Sequence, residues 1–404
     1  MEILYISTSC SENKYQEIFR LRKVKAIEPQ QKFNWLIVSG ISSVENTKVT
    51  AMCGLPVSHS TCDQKKFCYQ QERVSDSLTF EYLPFRNGKY TRLYDWFWQS
   101  KRFIKNWIIE RQGRPCCIVV DVLSPFLIMG GFGIAKKNRV PVVGIITDLP
   151  ELATGMKERQ ENVVKKAMLW LIHKINTRTL KKYSGYISLT QSINDVVNGE
   201  KKPEIVIEGS VSKDNGYNKE RPKRPYTVVY AGGVYAKYGI KNLVEAFAMM
   251  ENDSELHIYG DGTYVDAIRE VSLNHPNIQY KGMVSLEEIV EVERQATLLI
   301  NPRPSSEEFS KFSFPSKTLE YMSSGTPLLS TRLPGIPQEY YQYIYSIDDE
   351  SVDGIAKALR QVLSLSPDEL ALQGKKAYDF VINEKNNVRQ GARIVEFLKE
   401  SFYA

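Results

Sequence analysis

The chain has no run of about 18 or more apolar residues, the length at which a helix can cross a bilayer, so none of its segments is expected to span a membrane. Met1–Ser7 reads as a strand. It has neither a basic start nor a small-residue cleavage site, so no secretory leader is expected. Cysteine is sparse and uneven. The six cysteines are Cys10, Cys53, Cys62, Cys68, Cys116 and Cys117, all in the first third. Neither the spacing of Cys62 and Cys68 nor the placement of histidine suits zinc. The vicinal Cys116-Cys117 heads an apolar strand, as packed, reduced thiols do, which predicts a cytoplasmic protein. Glycine is missing where a dinucleotide fold would need it. The first strand, Glu2–Thr8, is followed by SCSENKYQEIF, which argues against NAD or FAD there. No two aspartates spaced by one residue close a strand, so no metal and no cofactor are expected. Charge of one sign is also lacking. Lys+Arg 53 against Asp+Glu 47 gives +6, too mild for a nucleic-acid binder.

What is present is an ordinary globular composition, 42% hydrophobic and 25% charged, over 404 residues. That length predicts two domains of about 200 residues each. Buried-strand runs alternate with amphipathic segments throughout, the pattern of an α/β protein built on parallel sheets. In the first half, strands are predicted at Lys48–Met52, Leu78–Leu83, Cys116–Asp121, Pro141–Asp148 and Gly185–Leu189. Ser9–Phe19 and Pro56–Asp76 read as polar loops. The polar, charged segment Asp214–Arg224 reads as a linker. The second half restarts with a strand at Tyr226–Tyr230, then Gly232-Gly233, which lets backbone come close to a ligand.

The densest pattern is Phe312–Glu339, FSFPSKTLEYMSSGTPLLSTRLPGIPQE. Pro315 suits the first position of a helix, Leu319 and Met322 share one face, and Gly325 and Pro327 stop it. Leu328–Thr331 is a short buried strand. A helix N-terminus gathers unpaired N–H groups and partial positive charge. Lys317 in the first turn opposes the dipole, and Glu320 lies on the same side at i+3. Two readings stand for these residues. One is a surface ion pair on a core helix. The other is a cation for a diphosphate, with a carboxylate behind it for a sugar diol.

This segment resembles the nucleotide-sugar site of the retaining glycosyltransferases of family 4. Glu320 matches the family's ribose-binding glutamate. The run from Ser323 to Pro327 and the PGIPQE turn match the family's residues beyond that glutamate. The loop and helix AGGVYAKYGIKNLVEAF also resemble the family's. The resemblance implies a GT-B fold, two Rossmann-like parallel-sheet domains facing each other across a cleft. It places an acceptor-binding domain at residues 1–212, a donor-binding domain at 213–385, and a last helix at 386–404 packed on the first domain. It implies donor contacts from Gly232, Gly233, Ser316, Lys317, Glu320 and Glu308, with Gly260 and Val284 near the base. Glu308 stands in because Phe312 occupies the position of the family's first glutamate. Gly233 and Tyr238 occupy the positions of its phosphate-binding Arg and Lys, which makes Lys237 and Lys317 the candidate catalytic cations. Thr147 replaces the histidine that often ends the fifth strand, and Asp148 is kept as a catalytic candidate. Ser9, Cys10, Thr147 and Glu151 are the acceptor-side candidates.

Two further stretches are basic and aromatic: Tyr90–Arg111, with Trp96, Trp98 and Trp107, and Met156–Tyr183. Each reads either as a core helix with a solvated basic face or as a surface that lies on anionic lipid. Trp96 and Trp98 are not expected to be buried together. The resemblance implies retaining transfer of a hexose from a nucleotide sugar, UDP-linked by preference. The FPSK-type motif, these stretches and the reduced cysteines together favour a lipid-linked saccharide acceptor in capsule or exopolysaccharide assembly, with a peripheral contact to the inner face of the membrane. A catalytically silent nucleotide-sugar-binding subunit and a nucleotide-sugar epimerase are the competing readings.

Overall fold

Strands buried on both faces read as unbroken apolar runs rather than as alternation, and such runs form the centre of both sheets. The computed structural model describes residues 1–23, 29–149, 174, 177–214, 223–250 and 253–404. They divide into two units, Met1–Ser210 with Asn387–Ala404, and Val211–Asn386.

The first unit contains, in chain order, β1 (Glu2–Ser7), α1 (Glu12–Leu21), α2 (Pro29–Ser42), β2 (Lys48–Cys53), β3 (Lys66–Phe67), β4 (Gln70–Arg73), β5 (Leu78–Tyr82), β6 (Phe85–Arg86), α3 (Thr91–Ile109), β7 (Cys116–Asp121), α4 (Phe132–Lys137), β8 (Val142–Ile146), β9 (Gly185–Ser188), α5 (Gln191–Val197) and β10 (Glu204–Val206). Its main sheet runs β10-β9-β8-β7-β1-β2-β5-β4 and is parallel except at the β4 edge. β7 and β8 are buried throughout.

Two segments expected as loops are structured. Ser9–Phe19 holds α1, started by the Ser11 hydroxyl accepting the Lys14 N–H at 3.1 Å. Its polar residues hid it, because the helix keeps only Lys14 and Ile18 buried. Pro56–Asp76 contains β3 and β4, and β4 pairs antiparallel with β5. QQER carries no apolar alternation because an edge strand needs a neighbour on one side only. The basic run Met156–Tyr183 falls largely outside the described residues, as does Glu151.

The second unit contains β11 (Thr227–Ala231), α6 (Ile240–Ala248), β12 (Glu255–Tyr259), α7 (Val265–Asn274), β13 (Ile278–Gly282), α8 (Leu286–Gln295), β14 (Leu298–Asn301), α9 (Phe309–Phe312), α10 (Ser316–Ser323), β15 (Leu328–Thr331), β16 (Tyr345–Ile347), α11 (Val352–Leu363) and α12 (Pro367–Glu384). Its sheet, β13-β12-β11-β14-β15-β16, is wholly parallel. Ile240, Leu243, Val244 and Phe247 of α6 pack with Ile355 and Leu359 of α11 in one core. Of the segment expected as a linker, residues 215–222 lie outside the described residues. Lys223 and Arg224 are already tied to this unit. The Lys223 ammonium donates to the Thr326 hydroxyl at 2.6 Å, and the Arg224 N–H to the Gln295 carbonyl at 2.7 Å.

The last helix, α13 (Asn387–Phe402), belongs to the first unit and crosses α2 there. The crossing is backbone to backbone. A Cβ on Gly391 would sit 2.1 Å from the Gly40 carbonyl carbon. Gly391→Val is therefore expected to lower unfolding free energy by about 3 kcal/mol, since overpacking at an unyielding contact forces backbone to move. A shifted urea midpoint at constant slope is the readout.

Candidate functional site

Parallel sheets bind ligands beyond the C-terminal ends of their strands, where the strand order reverses. In the second unit the chain steps from β11 outward to β12 and β13. It then returns to the other side of β11 as β14 and steps outward again. The reversal therefore lies between β11 and β14. A cavity of about 150 Å³ opens there. Its lining includes Gly232 and Gly233 after β11, Asn301 and Arg303 at the end of β14, and Ser316 and Lys317 at the start of α10.

Tyr321 holds these pieces together. Its buried hydroxyl accepts the Ala231 N–H at 2.8 Å and donates to the Ala231 carbonyl at 2.9 Å, fixing α10 to the end of β11. The Tyr230 hydroxyl donates to the Gly233 carbonyl at 2.7 Å and shapes the glycine loop from below. Gly260 is required by the same loop. Its φ is +126°, and a Cβ there would meet the Gly232 carbonyl oxygen at 1.8 Å.

Pro315 is not the first helical residue, as the spacing predicted, but the cap before it. Its ψ of 107° is extended, and its carbonyl takes the Thr318 N–H at 2.8 Å. Ser316 and Lys317 then open the helix, and their N–H groups have no carbonyl four residues back within it.

The cavity is cationic. Lys317 Nζ lies 2.9 Å from Glu320 and 3.6 Å from the buried Glu293 of α8. Burial alone would lower the Lys317 ammonium, but the Glu320 and Glu293 carboxylates outweigh it and raise it above its ordinary 10.5. Arg303 is different. Its guanidinium lies over the Tyr238 ring at 5.0 Å and the Phe309 ring at 5.3 Å, and no carboxylate pairs with it among the described residues. Burial pulls its pKa below its ordinary value, and only the neighbouring Tyr238 and Tyr230 hydroxyls oppose that. The Asn301 side chain is 7% exposed, and its Nδ2 has no hydrogen-bond partner among the described residues. A half-buried cation without an anion and a buried donor without an acceptor, as these are among the described residues, are both unfavourable when left alone. They line the same cavity.

Four of the donor-side candidates, Gly232, Gly233, Ser316 and Lys317, thus come together at this cavity. Glu320 stands one turn further along α10, half-buried against Lys317. Lys237 is exposed on the turn Ala236–Tyr238, over the Tyr238 ring at 5.9 Å, and is not part of the lining. Glu308 is exposed ahead of α9. Val284 is half-buried just past β13.

In the first unit, Thr147 and Asp148 follow β8 and are half-buried. Burial raises the Asp148 carboxyl, and its bond to the Leu149 N–H opposes that. Ser9 and Cys10 are buried. The Ser9 hydroxyl meets that of Ser7, the Cys10 N–H donates to Gln31 Oε1 at 3.1 Å, and burial pushes the Cys10 thiol well above its ordinary range. These two side chains serve the interior of the fold.

Arg303, Asn301 and Glu293 were not singled out in the sequence. For Arg303 and Asn301 a signal existed: NPRP places an amide and a cation at the C-terminal end of a buried strand. Glu293 had none, because EEIVEVERQ reads as a solvated helix.

Residues 225–365 match the family described as Glycosyl transferases group 1. A curated relative is the Bacillus subtilis (strain 168) protein named as a putative teichuronic acid biosynthesis glycosyltransferase, TuaH, 26% identical over 223 residues. That alignment spans 53% of this chain and 55% of the relative, so the chain is matched to about half of the relative's length. Among solved structures, sucrose-phosphate synthase from Thermosynechococcus elongatus superposes with a TM-score of 0.65 at 13% identity, covering 99% of this chain and 98% of that one. HepE of Anabaena, solved in complex with UDP, superposes with a TM-score of 0.58 at 11% identity, covering 99% and 100%. At such identities the likeness concerns the fold, two Rossmann-like α/β units of the GT-B type.

Proposed function

We propose, from the match of residues 225–365 to the Glycosyl transferases group 1 family, that the chain transfers a hexose from a nucleotide sugar to a saccharide acceptor with retention of anomeric configuration. The observation that carries this reading is the cavity at the strand reversal of the second unit. It presents Arg303 and Asn301 Nδ2, which have no anion and no acceptor among the described residues, together with Lys317 and the first N–H groups of α10. That set fits a diphosphate. Glu320, one turn behind, would accept from a ribose diol in this reading.

The chemistry asked of these groups is charge stabilisation. As the anomeric C–O bond to the diphosphate breaks, negative charge grows on the leaving phosphate. Arg303 and Lys317 stabilise it more strongly in a partly closed site than they would in water. The acceptor oxygen forms its bond on the same face, and its proton passes to the departing phosphate oxygen. Asp148 and Thr147, just past β8, are the acceptor contacts proposed for the first unit taken by itself. UDP is the favoured nucleotide, and the HepE complex with UDP supports that choice. A lipid-linked oligosaccharide in surface-polysaccharide assembly is the favoured acceptor, and the name of the curated relative supports it. Because protein cations and N–H groups meet the leaving charge, turnover is expected to survive excess EDTA. An activity that fell with EDTA and returned with magnesium would contradict that.

The test is hydrolysis or transfer across a panel of nucleotide sugars, with Glu320→Ala beside the wild type. Losing a carboxylate–diol contact is expected to weaken donor use by about 2 kcal/mol, near thirtyfold. Tight donor binding without turnover would instead identify a silent binding subunit, and sugar interconversion without acceptor would identify an epimerase.

A further inference from the structure

The first unit carries an aromatic and basic ridge that the donor chemistry leaves unused. The main apolar face of α3 is spent on the core, where Trp96, Ile104, Trp107 and Ile108 are buried. Trp98, by contrast, is 49% exposed, as are Tyr90 and Tyr94 at 61% each and Ile109 at 49%. At 3.6 residues per turn, Tyr94, Trp98, Lys101, Lys105 and Ile109 fall within about a quarter turn of the helix, a stripe bordering the buried face at Ile108. The side chains of this ridge touch one another. Tyr94 and Trp98 lie 6.3 Å apart by ring centroid, and the Lys101 ammonium lies over Trp98 at 5.0 Å. The Lys89 ammonium lies over Tyr90 at 5.3 Å.

The charge is one-sided. Arg102 and Lys105 are exposed beside Lys101. The only acid within α3, Asp95, lies at the ridge's edge and is held by Arg86 at 2.7 Å. Glu110, just past the helix, is engaged by Arg111 at 3.1 Å. Scattered exposed apolar residues need no explanation, but exposed Trp and Tyr in line with lysines that no carboxylate pairs among the described residues are the chemistry of a membrane interface. The rings sit at headgroup level, and the ammonium groups meet anionic phosphates.

We propose that this face of α3 seats the protein on an anionic lipid bilayer. The proposal deepens the reading of a lipid-linked acceptor and rests on that reading for its purpose only. The geometry differs from a helix lying on its own apolar face, because that face is already buried. Only ring tips and ammonium groups enter the headgroup layer, so binding should be reversible and salt-sensitive.

The test is flotation of the full chain with vesicles of phosphatidylglycerol and phosphatidylcholine, against phosphatidylcholine alone. The wild type should float only with the anionic vesicles, and less at high salt. Tyr94→Ser/Trp98→Ser and Lys101→Glu/Lys105→Glu should each weaken partitioning by about tenfold or more, with donor turnover in the absence of lipid unchanged. Trp98→Phe should remove the fluorescence quenching seen with brominated lipid. Glu320→Ala should lose donor use yet float as the wild type does, which separates this proposal from the catalytic one. A wild type that ignores anionic vesicles, one that binds free polysaccharide through these rings instead, or variants that float undiminished would overturn it.

Discussion

Arg303→Met is expected to lower donor turnover by about two to three orders of magnitude while leaving the protein as stable as before, or more so. The first half follows from its place. Arg303 lies two residues past β14 at the strand reversal, beside the glycine loop and the start of α10. Removing one preorganised donor to a developing oxyanion typically lowers rate by about 10²–10³. The second half follows from its surroundings. Its pKa is lowered by burial, and no carboxylate among the described residues compensates. Replacing such a charge with an apolar side chain of similar length removes a desolvation penalty rather than a bond. Met would keep the contact with the Tyr238 and Phe309 rings. Arg303→Lys should recover part of the rate, since it restores the charge but not the planar fork. Turnover and thermal melts on the same preparations check both halves. A large fall in melting temperature would mean that Arg303 is structural, and unchanged turnover would remove it from the reaction.

Lys317→Ala should behave in the opposite way, losing activity and stability together. The rate should fall by about a hundredfold, for the same reason as with Arg303. Stability should also fall, because Lys317 is the cation 3.6 Å from the buried Glu293 and 2.9 Å from Glu320. Removing one member of a buried pair costs about 3–5 kcal/mol. Lys317 is a third exposed, so about 2 kcal/mol is the expectation here. The pH behaviour has a definite sign. Lys317 is raised above 10.5 in the folded state, so its contribution is complete below that pH and is lost only as pH climbs through the raised value. Wild type and variant should therefore differ by a constant amount across the neutral range and converge only in strong alkali. Urea titrations at several pH values measure this. A gap that closed near neutrality would mean that another group holds Glu293.

These two variants also mark where the sequence stopped being sufficient. The helix carrying Lys317 and Glu320 was legible because a proline, a glycine and an apolar stripe at helical spacing all lie within a dozen residues. Its start was misplaced by one residue, since whether Pro315 is the cap or the first turn depends on its ψ. The edge strand Gln70–Arg73 and the helix Glu12–Leu21 were read as loops because their polar residues show no apolar period. The strand pairs across a short turn with Leu78–Tyr82, and the helix start at Ser11 meets the Glu72 and Tyr82 side chains, which lie far along the chain.

By itself the sequence determined the two-fold α/β layout, the parallel character of the sheets, and the candidacy of Gly232, Gly233, Lys317 and Glu320. Each is written in residues close together, where hydrophobic period and turn chemistry act. Only the tertiary structure decided that Arg303 and Asn301 join Lys317 while Lys237 stays outside. Which loops share a crevice is set by the order of strands in the sheet. That order follows from how the apolar faces of distant segments cover one another, a property of the folded whole that no local pattern carries.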